Sequence, residues 1–250
     1  MIPLNLIKES GRRLAAAAGL FIAIRRRGYI YFSGEDIWRP GRIRREGDTP
    51  FKALANPVVD SGRTLLDYDR LYVLWQVARN VASMGLAAAE VGSYRGGSAY
   101  FIASALEKLS GCKTSFHVFD TFEGHPDKIT EFDSVHEMGM FSDTDYEDVK
   151  SYLSPLPQVV IHKGEFSKSV EGLDDQAFGM AHIDVDIYQT TLDCLRYFGE
   201  RLVPGGIMVV DDYYAPKCPG VRKAVAEFLD ETTRYQSWDL QTRQLILTSR

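Results

Sequence analysis

Four carboxylates stand out by their spacing. Asp184 and Asp186 close the apolar run that begins at Ala181, and Asp211 and Asp212 close a second run, Ile207 to Val210. Converging carboxylates repel one another, and a hard divalent cation with oxygen ligands relieves that repulsion most simply. On a strand, His182 and Asp186 share the face of Asp184, so either is a candidate base or a support for the metal ligands. Asp186 has a second reading, as the cap of a helix beginning near Thr190. For Asp211 and Asp212 the alternative is a solvated loop after a strand.

The elements around these residues decide whether they can meet. Between the acidic ends, Leu192, Leu195, Phe198 and Leu202 recur at helical spacing, and Pro204-Gly205-Gly206 stops the helix. A strand, a crossover helix and a parallel strand place both carboxyl ends on one rim, where open α/β sheets bind ligands. Upstream, Leu86 to Val91 reads as a strand running into Glu90-Val91-Gly92-Ser93-Tyr94-Arg95-Gly96-Gly97-Ser98, with a helix over Ala99 to Leu109. Glycines let the backbone approach a ligand, and the helix N-terminus offers free N–H groups. The turn departs from GxGxxG and lacks the Lys-Ser/Thr ending of a phosphate-binding loop.

A second strand, Ser115 to Phe119, ends at Asp120, well placed to accept hydrogen bonds from both hydroxyls of a ribose. Phe119 and Phe122 beside it suit either an adenine cover or the core. Thr121 to Phe141 is a long loop of the kind used as a substrate lid. A helix over Asp145 to Leu153 and a strand over Gln158 to His162 follow, then a helix opened by Pro219-Gly220 and a last strand, Gln244 to Thr248. The alternation predicts an α/β, doubly wound, Rossmann-like sheet over residues 64–250, mostly parallel with an antiparallel C-terminal strand and helices on both faces.

Hydrophobic residues at 45% and charged residues at 25% are ordinary for a soluble globular chain. The net charge of -5 argues against general nucleic-acid binding, yet residues 1–46 carry ten Lys/Arg against four Asp/Glu. Residues 1–63 are therefore read as a separate basic extension. Within it, Leu14 to Ile24 is too short to span a bilayer and is flanked by arginines. It reads as a helix packing on the domain or another subunit, or as an interfacial helix touching anionic lipid. Residues 28–62, rich in Gly, Arg and Pro, read as loop or lid. Cys112, Cys194 and Cys218 show no CxxC spacing, which suggests neither a disulfide framework nor a zinc site and fits a reducing cytosol. His117, His125, His136 and His162 lack partner spacing and read as structural or surface residues.

Several of these motifs resemble known ones. AEVGSYRGGSA is similar to the first motif of class I S-adenosylmethionine-dependent methyltransferases, and its turn to that of catechol O-methyltransferase. HIDVDIYQTT followed by PGGIMVVDDYYAP and a Val-Arg-Lys-Ala-Val helix resembles the macrocin O-methyltransferase (TylF/MycF-like) family more closely, over roughly Leu65 to Phe228. The family commonly has Trp where Tyr94 stands and Gly where Val185 stands.

The resemblance implies a Mg²⁺-dependent O-methyltransferase acting on a sugar hydroxyl of a glycosylated product or nucleotide-sugar, cytoplasmic and homo-oligomeric. It implies Glu90, Gly92, Tyr94 and Ser98 at the methionine end and ribose side of the cofactor, and Asp120 at the ribose hydroxyls. Thr121 and Gly124 would shape the next turn, Gly164 and Phe166 would lie near the adenine, and Asp184, Asp211 and Asp212 would ligate magnesium. Competing readings are a catechol or phenol O-methyltransferase, and a non-catalytic cofactor-binding or membrane-recruited partner. A metal-dependent hydrolase would leave the Glu90 turn and Asp120 unexplained.

Overall fold

Seven strands form one sheet: β1 Ala87–Val91, β2 Phe116–Asp120, β3 Val159–Lys163, β4 Phe178–Ile183, β5 Leu202–Val210, β6 Tyr235–Asp239 and β7 Leu245–Ser249. The computed structural model describes residues 48–250 apart from 112, 113, 128 and 134, together with the strands Ile24–Arg26 and Tyr29–Tyr31. The sheet order is β3-β2-β1-β4-β5-β7-β6. All pairs among β1 to β5 are parallel, whereas β7 runs antiparallel to both of its neighbours. The expected doubly wound sheet with an antiparallel C-terminal strand is therefore present. The order reverses at β1 and β4, so the ends of these adjacent strands flank the crevice in which such sheets bind ligands.

Helices α1 Asp48–Asp60, α2 Tyr68–Val81, α3 Gly97–Ser110, α4 Tyr146–Leu153, α5 Phe166–Ser169, α6 Tyr188–Arg201 and α7 Pro219–Glu231, with a 3-10 turn over Ala82–Met84, complete the described elements. Central strands β1 and β4 are buried along their whole length, as strands covered on both faces must be. Phe178, Phe198, Leu195, Val210 and Phe228 anchor the core between the sheet and α6–α7.

Three elements differ from the sequence reading. Helix α1 lies in the stretch expected as loop. Phe51, Ala55 and Val58 are fully buried at helical spacing, and the Phe51 ring packs edge-on against Tyr72 and Phe101 at 5.2 and 5.8 Å. Its prolines mislead: Pro50 sits in the first turn, where its missing N–H costs nothing, and Pro57 sits in the last. Pro204-Gly205-Gly206 is not a helix stop but a bulge inside β5. Register with β4 jumps from Phe178↔Leu202 to Met180↔Ile207, and Gly205 takes a positive φ of 80° there. Strand β6 was not expected, because only Tyr235 of its five residues is buried and no apolar alternation marks it.

The chain divides into two units, residues 1–48 and 49–250. In the first, Ile24–Arg26 pairs antiparallel with Tyr29–Tyr31. The expected helix over Leu14 to Ile24 lies outside the described residues except for Ile24, as does most of the expected lid before Asp48. Among the described residues no helix is long and apolar enough to cross a membrane.

Candidate active site

The two halves of the rim meet through backbone. The Asp184 amide donates to the Val91 carbonyl at 2.9 Å, and a Cβ on Gly92 would lie 1.8 Å from the Asp184 carbonyl oxygen. Only glycine fits there, and its φ of 86° favours glycine as well. The turn after β1 and the acidic turn after β4 are thus one surface.

Beneath that surface runs a buried chain of charged and polar groups. Glu90 Oε1 lies 2.8 Å from His182 Nδ1, and His182 Nε2 lies 3.4 Å from Asp211 Oδ2. Asp211 Oδ2 also accepts from Gln244 at 3.0 Å, and Oδ1 accepts from Arg70 at 2.9 Å and from the Asp212 amide at 2.9 Å. The side chains of Glu90, His182 and Asp211 are sealed from solvent. Burial opposes charge on His182, but the hydrogen bonds to Asp211 and Glu90 overcome it and raise the imidazole to about 10. Burial alone would raise Asp211; His182 and Arg70 instead pull it down to about 2. Two carboxylates and two cations balance here.

The remaining carboxylates are not balanced. Asp184 is pushed well above the ordinary carboxylate range by burial and by Asp211, and among the described residues no donor bonds its carboxylate. Asp186 is raised to about 7 by burial, by the charge of Asp212 and by a hydrogen bond with that residue. Cys218 Sγ lies 3.5 Å from Asp186 Oδ1, and the same carboxylates together with burial push its thiol up. The nearest cation is Arg70, 4.0 Å from Asp212. Ligand atoms of His182, Asp184 and Asp211 fall within 4.8 Å of one another, as do those of Asp186, Asp212 and Cys218. More carboxylates than cations suits a hard divalent ion at Asp184 and Asp212, with Asp211 already engaged by Arg70 and His182.

The cofactor half is built from opposite materials. Asp120 accepts from the amides of Ser93 at 2.8 Å, Tyr94 at 2.9 Å and Phe122 at 2.8 Å, so its carboxylate ties two turns together. Thr121 Oγ1 donates to the Gly124 carbonyl at 2.7 Å, which closes the next turn. Gly96 takes a φ of 78° as the residue before α3, and Ser98 is buried in its first turn. One atom is orphaned: Glu90 Oε2 is buried with no hydrogen-bond partner. A buried carboxylate oxygen without a partner, two residues before the Gly92 turn, is open to a cationic donor from a ligand.

With this geometry in hand, comparison with known proteins is decisive. Residues 43–236 match the family described as Macrocin-O-methyltransferase (TylF). The chain belongs to the macrocin O-methyltransferase family. Two curated relatives are mycinamicin III 3''-O-methyltransferase of Micromonospora griseorubida, 29% identical, and the 8-demethyl-8-(2,3-dimethoxy-alpha-L-rhamnosyl)-tetracenomycin-C 4'-O-methyltransferase of Streptomyces olivaceus, 28% identical. Each match covers 56% of this chain and spans only 59% and 56% of those relatives' own lengths. The O-methyltransferase NovP shares the fold at a TM-score of 0.66 and 21% identity, over 75% of this chain and 82% of that one. The calicheamicin methyltransferase CalS11 does so at 0.64 and 19%, over 91% and 95%.

Within this macrocin O-methyltransferase family member, several residues expected from sequence occupy other roles. Phe166 is buried against Phe119, Tyr197 and Phe198, so its ring belongs to the core rather than to an adenine site. Gly164, with a φ of 134° and open space around it, is the part of that turn a ligand can approach. The Tyr94 hydroxyl donates to Asp143 at 2.7 Å, and Arg95 pairs with the same carboxylate at 2.7 Å in an exposed ion pair. Asp186 does not cap α6. That task falls to Asp133, whose Oδ1 accepts from the Tyr188 amide at 2.9 Å, while Asp186 takes a φ of 61°.

His125 and His136, read as isolated, meet at 3.1 Å and approach Asp186. Arg70, Gln244 and Asp133 were missed altogether. Arg70 alone carried a signal, as a charged residue directly before Leu71, where the buried stripe of α2 begins.

Proposed function

We propose that this chain transfers a methyl group from S-adenosylmethionine to a hydroxyl, most simply a sugar hydroxyl of a glycosylated natural product or nucleotide-sugar, with Mg²⁺ as its metal. The observation that carries this reading is the contact of the Gly92 turn with the Asp184 backbone, which sets a cofactor-type turn against an acidic rim. The family and the sugar-directed names of the relatives support it.

Methyl transfer from a sulfonium is an in-line displacement that needs an aligned and deprotonated nucleophile. Bound Mg²⁺ would lower the pKa of the attacking hydroxyl. Asp184 and Asp212 would supply carboxylate oxygens for the cation, Asp212 by giving up its hydrogen bond with Asp186. Asp211 is the third ligand only if its bond to Arg70 loosens; otherwise it supports the rim from beneath.

At the cofactor end, Glu90 Oε2 would be the acceptor for the methionine ammonium, and the Gly92 and Gly96 turns would admit the chain of the cofactor. Asp120 keeps the two turns in register and would offer its remaining lone pairs to the ribose, with Tyr94 and Ser98 in the same turn. His182, sealed and cationic, holds Glu90 and Asp211 in place and is a positioning residue, not the base. The base is Asp184 or Asp186, which stand on the rim. No geometry favours a catechol over a sugar; the relatives' acceptors favour the sugar.

Calorimetric titration with S-adenosylhomocysteine, with and without Mg²⁺, tests the reading. Binding is expected in both conditions and is retained in Asp184→Ala, whereas that variant transfers no methyl group to a sugar acceptor. Absence of binding removes the cofactor assignment, and full activity of Asp184→Ala removes the metal.

A further inference from the structure

Beside the acidic rim lies a second constellation, built from different donors. His125 and His136 belong to the long loop Thr121 to Phe141, and Asp186 belongs to the turn after β4. His125 Nε2 is 3.1 Å from His136 Nδ1 and 3.9 Å from Asp186 Oδ2. All three offer ligand atoms within 4.8 Å of one another. His136 is buried and the His125 side chain is 9% exposed, so little solvent competes for these atoms.

The tautomer of His136 follows from its far nitrogen. Nε2 lies 3.1 Å from the Lys217 carbonyl, an acceptor only, so Nε2 carries the proton and Nδ1 presents its lone pair to His125. A backbone carbonyl on the distal nitrogen is the usual support of a metal-bound imidazole. The loop is also fastened at both ends of this pair. The His125 amide donates to the Met140 carbonyl at 2.9 Å, and its own carbonyl accepts from Gly139 at 2.9 Å. Asp133, three residues before His136, is buried and locked to Thr130 and to the Tyr188 amide. A Cβ on Gly220 would lie 2.1 Å from the Asp133 carboxylate, so that close approach needs glycine.

We propose that His125 Nε2, His136 Nδ1 and Asp186 Oδ2 form a Zn²⁺ site at the edge of the acidic rim, sharing only Asp186 with it, which clips the long loop to the strand-end turn; with Asp186 so held, the base of the methyl-transfer reading is Asp184. Nitrogen ligands at 2.0–2.1 Å on tetrahedral corners lie roughly 3.4 Å apart; the two imidazole nitrogens stand 3.1 Å apart, and the 3.9 Å between His125 and Asp186 would have to close by a small side-chain movement. Two imidazoles with one carboxylate select zinc over magnesium, because imidazole suits the later divalent metals and Mg²⁺ takes oxygen. Cys218 Sγ is 3.6 Å from His136 Nε2, the nitrogen turned away from His125, so it stands outside the ligand set. The fourth position is left open to water. This inference does not rest on the methyl-transfer reading.

The test uses the full chain, stripped with chelator and returned to excess Mg²⁺ to satisfy the acidic rim, then titrated with Co²⁺ as a visible reporter and displaced with Zn²⁺. One equivalent of Co²⁺ should give visible ligand-field bands without thiolate charge transfer. Affinity should fall by at least about 10–100-fold in His125→Gln and His136→Gln, each checked for wild-type circular dichroism. Cys218→Ser and Asp184→Asn should retain the bands. X-ray absorption of the zinc-loaded wild type, which needs no variant, should give two imidazoles and no sulfur. The site is overturned by absence of bands in the wild type, by bands that survive both histidine variants, by bands lost in Asp184→Asn, or by sulfur in the zinc shell.

Discussion

The two halves of the rim solve the same problem in opposite ways. Beneath the β1–β2 turns, Asp120 accepts three backbone amides, so those turns hold their shape by themselves and Glu90 Oε2 is left without a partner. At the β4–β5 ends, Asp184, Asp186 and Asp212 crowd together while Arg70 is spent on Asp211. The first half is preorganised by its own hydrogen bonds. The second holds a surplus of like charge that only an added cation or a proton relieves.

The contrast can be broken most severely at Arg70. Replacing it with Met leaves Asp211 buried without its guanidinium, and the chain should lose about 3–5 kcal/mol of stability in a denaturant titration. A loss under 1 kcal/mol would mean that His182 and Gln244 suffice for Asp211, and the charge-balance account would fail. Asp120→Ala attacks the preorganised half. It strands the amides of Ser93, Tyr94 and Phe122 and should cost about 1–3 kcal/mol, with weaker S-adenosylhomocysteine binding in the same sample. Unchanged binding would show that the turns hold their shape without the carboxylate.

Asp184→Asn should move the other way. It removes one like charge from the crowded half and should raise stability by about 0.5–2 kcal/mol in metal-free buffer, even as it abolishes transfer. Destabilisation instead would indicate that the carboxylates are compensated already.

The smallest effect concerns acid. Burial, with His162 beside it, lowers His117 to about 4, and burial lowers His162 as well. Both stay neutral in the fold but take up protons when unfolded, so stability should fall as pH drops from about 6.5 towards 4 and level off below. A His117→Gln, His162→Gln double variant should flatten that slope; an identical slope would remove these residues from the account.

The rim was legible because its signals are local. An apolar run ending in Asp, a helix of the right length and a second such run can fold in few ways, so spacing alone brought Asp184, Asp186, Asp211 and Asp212 to one rim, and the family resemblance singled out three of them as metal ligands. Strand β6 was not, because an edge strand with one buried residue carries no pattern. Helix α1 was hidden by two prolines, although Phe51, Ala55 and Val58 in fact mark its buried face. Phe166 shows the limit for aromatics: its type suits an adenine or a core, and only packing chose the core.

By itself, then, the sequence determined the class of sheet and the carboxyl ends of its central strands, since hydrophobic periodicity and terminal acids act over a few residues, while motif resemblance carried the family. The tertiary structure alone decided which charges meet. Arg70 and Gln244 reach Asp211 from positions 141 and 33 residues away. His182 joins Glu90 across 92 residues. Contacts of that separation depend on how helices and strands dock, and no periodicity along the chain encodes them.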